Sequence, residues 1–382
     1  MSPELSLVAA CCRWPDDDTR RKAIRLALND MLSWGEVERL TAYHRVEGLV
    51  WHGLQTVRES VPKICMVRLE SAAQSIRSSA LRDLGESFRV SRALKAAGLD
   101  HRFLKGSALG FLAYGTPSIK RSWDIDLLVL PGDAVSAAIC LERLGYKPIL
   151  PPRSLDPEEF SRWSVVSKEA EFRSDRGATV ELHWRLADHP QLLSTLDARS
   201  PAREVKLLEE EYVLTLGDAE NLAYLAVHGS AHAWFRLKWL ADFNAFMNGF
   251  DKTHLASLLK SAASMGVGNA LDTALALVAD VFGEQTSYDN DRPSNLVAIS
   301  RRAINASDEE IAARISSQAR WRLITSVGYL LAELQLRLRG TLDRLEYPLP
   351  GRWAHLYPWL RIPFWIKRKT NFLAPWKNGW RL

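Results

Sequence analysis

The sequence predicts an α+β fold: a small mixed β-sheet set between an N-terminal and a C-terminal helical region. Apolar positions step by three or four along 1–98 and again through most of 186–345, as amphipathic helices require. Between them, over 99–185, short runs of strand formers alternate with helical segments. Composition agrees, since 47% hydrophobic and 25% charged residues over 382 positions describe a folded chain with real cores, not a disordered one. A last segment, 346–382, stands apart in composition.

Charge and cysteine usage bound the setting. A net charge of +5 permits an anionic ligand without demanding one. Cys11, Cys12, Cys65 and Cys140 match no metal-binding spacing, and so few in a chain this long suggest a reducing compartment. The opening LSLVAACC is brief and runs into three aspartates, unlike a secretion signal. No run of about 18 apolar residues occurs, so the expectation is a cytoplasmic chain without a transmembrane helix.

Taken in order, Pro15 and Asp16 to Asp18 start a helix whose apolar positions continue through Ala23, Leu26, Ala27, Asp30 and Met31, with Gly35 as its stop. A second helix is expected from Val37 to Leu54, and a longer one after Pro62, with Met66, Leu69, Ala73, Ile76, Ala80, Leu84 and Phe88 on one face. His44 reads as a capped or core-edge histidine, with approach of His44 and Arg45 to a ligand as the alternative. Within the central segment, residues 100–104 read as a strand, Gly106 to Tyr114 as a helix, Asp124 to Leu130 as a strand and Ala134 to Leu144 as a helix. PILPPRSLDPEEF reads as a Pro-rich connection. Ser167 to Arg173 and Ala178 to Trp184 form a hairpin pattern about the turn Ser174 to Gly177. A long helical stretch capped by Asp218 follows, then helices near 252–264, 268–282, 294–304 and 308–340, with a polar exposed segment (EQTSYDNDRPS) among them.

The chemistry concentrates in HRFLKGSALGFLAYGTPSIKRSWDIDLLVLP, residues 101–131. Asp124 and Asp126 are two apart, so on a strand both carboxylates point to one face. Carboxylates crowded at a core edge repel each other unless a cation lies between them. Gly106 and Ser107 form a small-residue turn at a helix start, where free N–H groups and the dipole favour phosphate. Lys105 and Arg121 add positive charge at either end of the loop. With a third carboxylate, Asp124 and Asp126 suit one or two Mg²⁺ and phosphoryl or nucleotidyl transfer. Glu181 shares a strand face with Thr179 and His183; Glu171 is its rival on the preceding strand.

KGSAL, Arg121, DIDLLV and VELHW, with His228-Gly229, RLKWLAD (236–242) and His44-Arg45-Val46, resemble the DNA polymerase beta-type nucleotidyltransferase superfamily, and in particular its bacterial branch of uncharacterised nucleotidyltransferases. The resemblance spans roughly 40–250 and makes 99–185 a polymerase beta-like nucleotidyltransferase core. It implies that Gly106 and Ser107 receive the triphosphate and that Asp124, Asp126 and Glu181 bind two Mg²⁺ and carry catalysis. The implied reaction moves a nucleoside monophosphate from an NTP to an acceptor and releases pyrophosphate. Sixteen residues separate Ser107 from Asp124, more than is usual in the superfamily, which leaves the position of Arg121 open. His183 is expected to orient a neighbour rather than bind metal. Lys238 is expected to contact phosphate, while His228 and Asp242 line the nucleotide or acceptor side, with helix–helix packing and capping as the equal alternative for these residues.

Competing readings stay open. The acceptor is a small molecule, peptide, protein side chain or RNA end. The same fold also serves a non-catalytic nucleotide-binding or scaffold protein in a biosynthetic assembly. His228 and His232, at i and i+4, have a zinc-compatible spacing but lack a third ligand. Between Gly351 and Leu382 lie seven Lys or Arg, five tryptophans and no acidic residue. That tail reads as a segment packed back on the helices, with an anionic membrane surface and RNA as alternative partners.

Overall fold

The computed structural model describes residues 1–338 apart from 30, 208–210, 284–294, 307 and 325, and beyond them the isolated positions 353, 356, 357, 359, 360 and 363. The polar segment 284–294 and nearly all of the basic tail therefore lie outside the described residues.

Five helices come first: α1 (Pro3–Cys12), α2 (Asp18–Ala27), α3 (Trp34–His44), α4 (Glu47–Leu54) and α5 (Lys63–Ala96). The central segment follows as β1 (His101–Phe103), α6 (Gly106–Tyr114), β2 (Ile125–Val129), α7 (Ala134–Arg143), β3 (Tyr146–Leu150), α8 (Pro157–Val166), β4 (Glu169–Ser174) and β5 (Thr179–His183). A hairpin of β6 (Ala202–Lys206) and β7 (Tyr212–Leu216) leads into α9 (Asp218–Ala231), α10 (Leu237–Met247), α11 (Lys252–Ala262) and α12 (Gly268–Phe282). The last described helices are α13 (Asn295–Ile304), α14 (Glu309–Ala319) and α15 (Val327–Leu338).

The main sheet has the order β1-β2-β5-β4-β3, and only the β2–β5 pairing is parallel. Strand alternation sorts its two faces. Ile125, Leu127 and Val129 join Val180, Leu182, Ala170 and Phe172 in a core with Leu84, Phe88 and Leu94 of α5 and Ala137 and Leu141 of α7. Asp126, Glu181, His183 and Glu169 take the opposite face and look toward α9. A second core joins α1 to α4 with α9 to α12, so the helices before and after the sheet pack on each other.

Several elements differ from expectation for local reasons. Helix α2 stops at Ala27, not at Gly35, because the Asn29 side chain accepts the Met31 N–H and turns the chain; Leu26 and Met31 stay exposed, and Asp30 is outside the described residues. Ser33 then caps α3. The helix expected from Val37 to Leu54 splits at Arg45, whose φ of 59° lets its N–H bond back to Ala42. The Pro-rich connection holds both β3 and α8. Pro148 is tolerated because β3 is an edge strand, and Asp156 with Glu159 forms a capping box on α8. The region expected as a C-terminal helical domain, 186–345, also holds the β6–β7 hairpin, before the stretch read as helical from Asp218, with Val205 and Val213 facing inward. The stretch after 218 breaks at Ala233 and Trp234, both at positive φ. Asp218 does not cap that stretch but pairs with Arg203 at 2.6 Å. The helix expected over 308–340 is divided between α14 and α15.

By length and composition alone, Lys252–Phe282 passes as a membrane span. It is broken at Gly266 (φ 80°), and Leu259, Ala262, Leu271, Leu275, Val278 and Phe282 point into the second core. A pair of core helices accounts for it.

The long 115–124 loop is wedged between α4 and α6. A Cβ on Gly48 would overlap the Ile119 carbonyl oxygen, so only glycine admits the loop there. Gly48→Ala should therefore destabilise the protein by about 1–3 kcal/mol through overpacking, read as a lower urea midpoint at unchanged slope.

Candidate active-site cleft

A cleft of about 360 Å³ lies between the polar face of the sheet and helices α9 and α10. Its position follows from strand register. Asp126 is the cross-strand partner of Glu181, and Glu169 of His183, so four ionisable side chains emerge side by side. Lys105 Nζ reaches Asp126 Oδ1 at 2.9 Å. His183 Nε2 stands 3.3 Å from the same oxygen and 3.4 Å from Glu181 Oε2, while Nδ1 lies 3.1 Å from Glu169 Oε2. Lys168 pairs with the same Glu169 oxygen from outside.

Burial sets the electrostatics. Burial alone would raise the Asp126 carboxyl, but the Lys105 ammonium and His183 outweigh it and hold it well below the usual carboxylate range. Lys105, which burial would discharge, is kept charged chiefly by Asp126. His183 is raised to about 10 against its burial and Lys168, by Asp126, Glu169 and Glu181. Asp124 lines the cleft as well; burial, then Asp126 and Glu181, push it up to about 7 against Lys105 and Lys238. On the α10 side, burial and then Lys120 press Lys238 down to about 7.

The donors fit a divalent cation. Ligand atoms of Asp126, Glu181 and His183 all lie within 4.8 Å of one another. Asp126 Oδ1 and both His183 nitrogens are buried at ion-pair distance from their neighbours without an aligned hydrogen bond. Gly106 (φ 56°) and Ser107 open α6 beside this cluster, in a small recess shared with Ser122, Asp124 and Asp126. Among the described residues no side chain caps that helix N-terminus, so its first N–H groups can donate to a ligand's oxygens.

Of the residues read from the sequence, Lys105, Asp124, Asp126, Glu181, His183, His228, Lys238 and Asp242 line the cleft, and Gly106 and Ser107 adjoin it. Arg121 does not line it. It pairs with Glu47 at 3.1 Å and lies against the exposed Trp123 ring. Arg45, in its left-handed conformation, covers Trp123 as well and does line the cleft. Glu171 pairs with Arg173 instead. His228 and His232 pack their rings round Trp239, and among the described residues no third ligand joins them.

His44 ties α3 to α10: it is fully buried, and its Nδ1 accepts the Leu237 N–H at 3.2 Å. Arg236 beside it pairs with Glu309 and lies over the Tyr43 ring. These motif residues hold the walls and stay out of the cleft.

Sequence reasoning missed Lys120, Tyr114, Tyr224, Lys168 and Glu169. Buried Lys120 reaches Asp242 at 3.2 Å, and the Tyr114 hydroxyl donates to the same carboxylate at 2.9 Å. Asp242 is thus a buried anchor for the loop. The available signals were weak: Lys120 stands beside the noted Arg121, and Glu169 lies on the same strand face as Glu171.

An acidic–histidine cluster facing an uncapped helix N-terminus supports nucleotidyl transfer in general. The profile of the uncharacterised nucleotidyltransferase family matches residues 30–283, and the chain belongs to that family. No curated protein matches the chain.

Two outcomes follow from these contacts. Lys120→Met strands a buried Asp242 charge and should cost about 3–5 kcal/mol, while Lys120→Met with Asp242→Leu recovers most of it; urea unfolding of both variants checks this. His44 is pressed down to about 3 by burial and then by Arg236 and Arg39. Between about pH 6.5 and 3 the unfolded chain therefore takes up a proton that the folded chain refuses. Stability should fall with pH across that window, by about 1.4 kcal/mol per unit for this group. Denaturation midpoints should fall less steeply in His44→Gln.

Proposed function

We propose that this protein is a divalent-metal-dependent nucleotidyltransferase with a polymerase beta-like core, which moves a nucleoside monophosphate from an NTP to an acceptor and releases pyrophosphate. The observation that carries the reading is the parallel β2–β5 register, which sets Glu181 beside Asp126 with Asp124 in the same cleft. Three carboxylates crowded there favour a hard cation such as Mg²⁺. When bound, such an ion neutralises charge on the phosphates and the leaving pyrophosphate. The chain's own groups do the rest. The uncapped N–H groups of Gly106 and Ser107 hold phosphate oxygens, and Lys238, near Asp124, balances the charge they bring. The acceptor's oxygen or nitrogen attacks the α-phosphorus, the bond to the bridging oxygen of the β-phosphate breaks, and the acceptor's proton passes to solvent or a cleft carboxylate. The far lobe, between the stacked His189–Tyr329 pair and Trp239, is the space left for the acceptor.

A second reading has one observation in its favour. Lys105 Nζ already sits on Asp126 Oδ1, so an ammonium serves where an ion would, as suits a nucleotide-binding protein without catalysis. Incubating the full chain with each NTP, Mg²⁺ and a cell extract separates the two. The enzyme reading expects pyrophosphate release and a labelled product, both abolished in Asp124→Asn and in Asp126→Asn. Nucleotide binding by calorimetry with no pyrophosphate from any acceptor pool would decide for the second.

A further inference from the structure

A three-carboxylate site leaves His183 outside the ligand set, and the geometry points elsewhere. Resting on the metal-site reading above, we propose that His183 Nε2 binds the divalent ion directly and that Glu169 is its positioning residue. The result is a mixed nitrogen–oxygen site that prefers Mn²⁺ to Mg²⁺.

Nε2 faces both carboxylates of the β2–β5 pair, at 3.3 Å from Asp126 and 3.4 Å from Glu181, so an ion shared by those oxygens has this nitrogen as its neighbour. The opposite ring nitrogen stands 3.1 Å from Glu169 Oε2. A carboxylate beside Nδ1 favours keeping the proton on that nitrogen, so an ion arriving at Nε2 displaces only the Nε2 proton, the arrangement that outer carboxylates give metal-bound histidines. Strand pairing makes the arrangement rigid, because Glu169 and His183 are direct cross-strand partners. At 3% exposure the ring is held closely where it lines the cleft, and its other strand neighbour, Leu128, has an apolar side chain. Lys168 holds Glu169 from behind. Asp124, by contrast, is not among the side chains whose ligand atoms gather within 4.8 Å. Imidazole nitrogen suits transition-metal ions, whereas Mg²⁺ keeps to oxygen. Lys105 shares the Asp126 oxygen, so ion binding competes with its ammonium.

Pulsed electron paramagnetic resonance of Mn²⁺ bound to the full-length chain tests this. We expect the coupling of a directly bound nitrogen, changed to the ¹⁵N pattern when histidine is ¹⁵N-labelled. It should disappear in His183→Gln and persist in His228→Gln. Glu169→Gln should keep the coupling while weakening Mn²⁺ binding roughly 10–100-fold, and His183→Gln should shrink the Mn²⁺ over Mg²⁺ preference measured by calorimetry. Should His183→Gln fail to fold, the labelled wild type and Glu169→Gln still decide. Stoichiometric Mn²⁺ without nitrogen coupling, or coupling that survives His183→Gln, overturns the ligand assignment and leaves the carboxylate site intact. Unchanged affinity in Glu169→Gln overturns the positioning role. No Mn²⁺ binding at all overturns this inference together with the metal-dependent reading on which it rests.

Discussion

The parallel pairing of β2 with β5 puts two like charges side by side, and the rest of the cleft answers that repulsion. Two carboxylates about 4 Å apart repel by roughly 4 kcal/mol at an effective dielectric near 20. In a buried row the cost is met by compensating charge: Lys105 on Asp126, His183 between Asp126 and Glu181, and Lys168 behind Glu169. Asp124, buried beside the row, has a raised affinity for protons, from burial first and then from Asp126 and Glu181. A fold that spends hydrophobic stabilisation on holding such a row together is expected to use the row.

The sheet could not hold this polar face alone. Its other face has α5 and α7 as an apolar backing, while the charged face depends on α9 and α10, which in turn share a core with α1 to α4. The site therefore owes its shape to helices far from it in sequence. His44 and Arg236 belong to this wall: one ties α3 to the start of α10, and the other ties α10 to Glu309 at the head of α14.

What the sequence made legible follows from interaction range. The DxD strand, the KGS helix start and the hairpin bearing Glu181 and His183 are local patterns, and all occur close to where periodicity and turn chemistry put them. The break at Arg45 escaped because a non-glycine in the left-handed region leaves no compositional mark. Strand β3 escaped because Pro148 argues against strands, and its edge position shows only once the sheet is assembled. Lys120 and Glu169 were missed for a different reason. Their partners are set by tertiary packing, across 122 residues in the case of Lys120 and Asp242 and across a strand pair in the case of Glu169 and His183. Arg121 shows the converse error. Its place next to the aspartates suggested phosphate, yet the turn of the loop aims it at Glu47.

The 115–124 loop also bears on how the molecule can move. Its consecutive cations grip opposite flanks, Lys120 reaching Asp242 on α10 and Arg121 reaching Glu47 on α4. A jaw-like hinge that swung these flanks apart would break a buried ion pair at every opening. Arg320 and Asp188, which also line the cleft, pair at 3.4 Å with both side chains partly exposed, so that contact is the cheaper one to break. The loop acts as a bolt between α4 and α10.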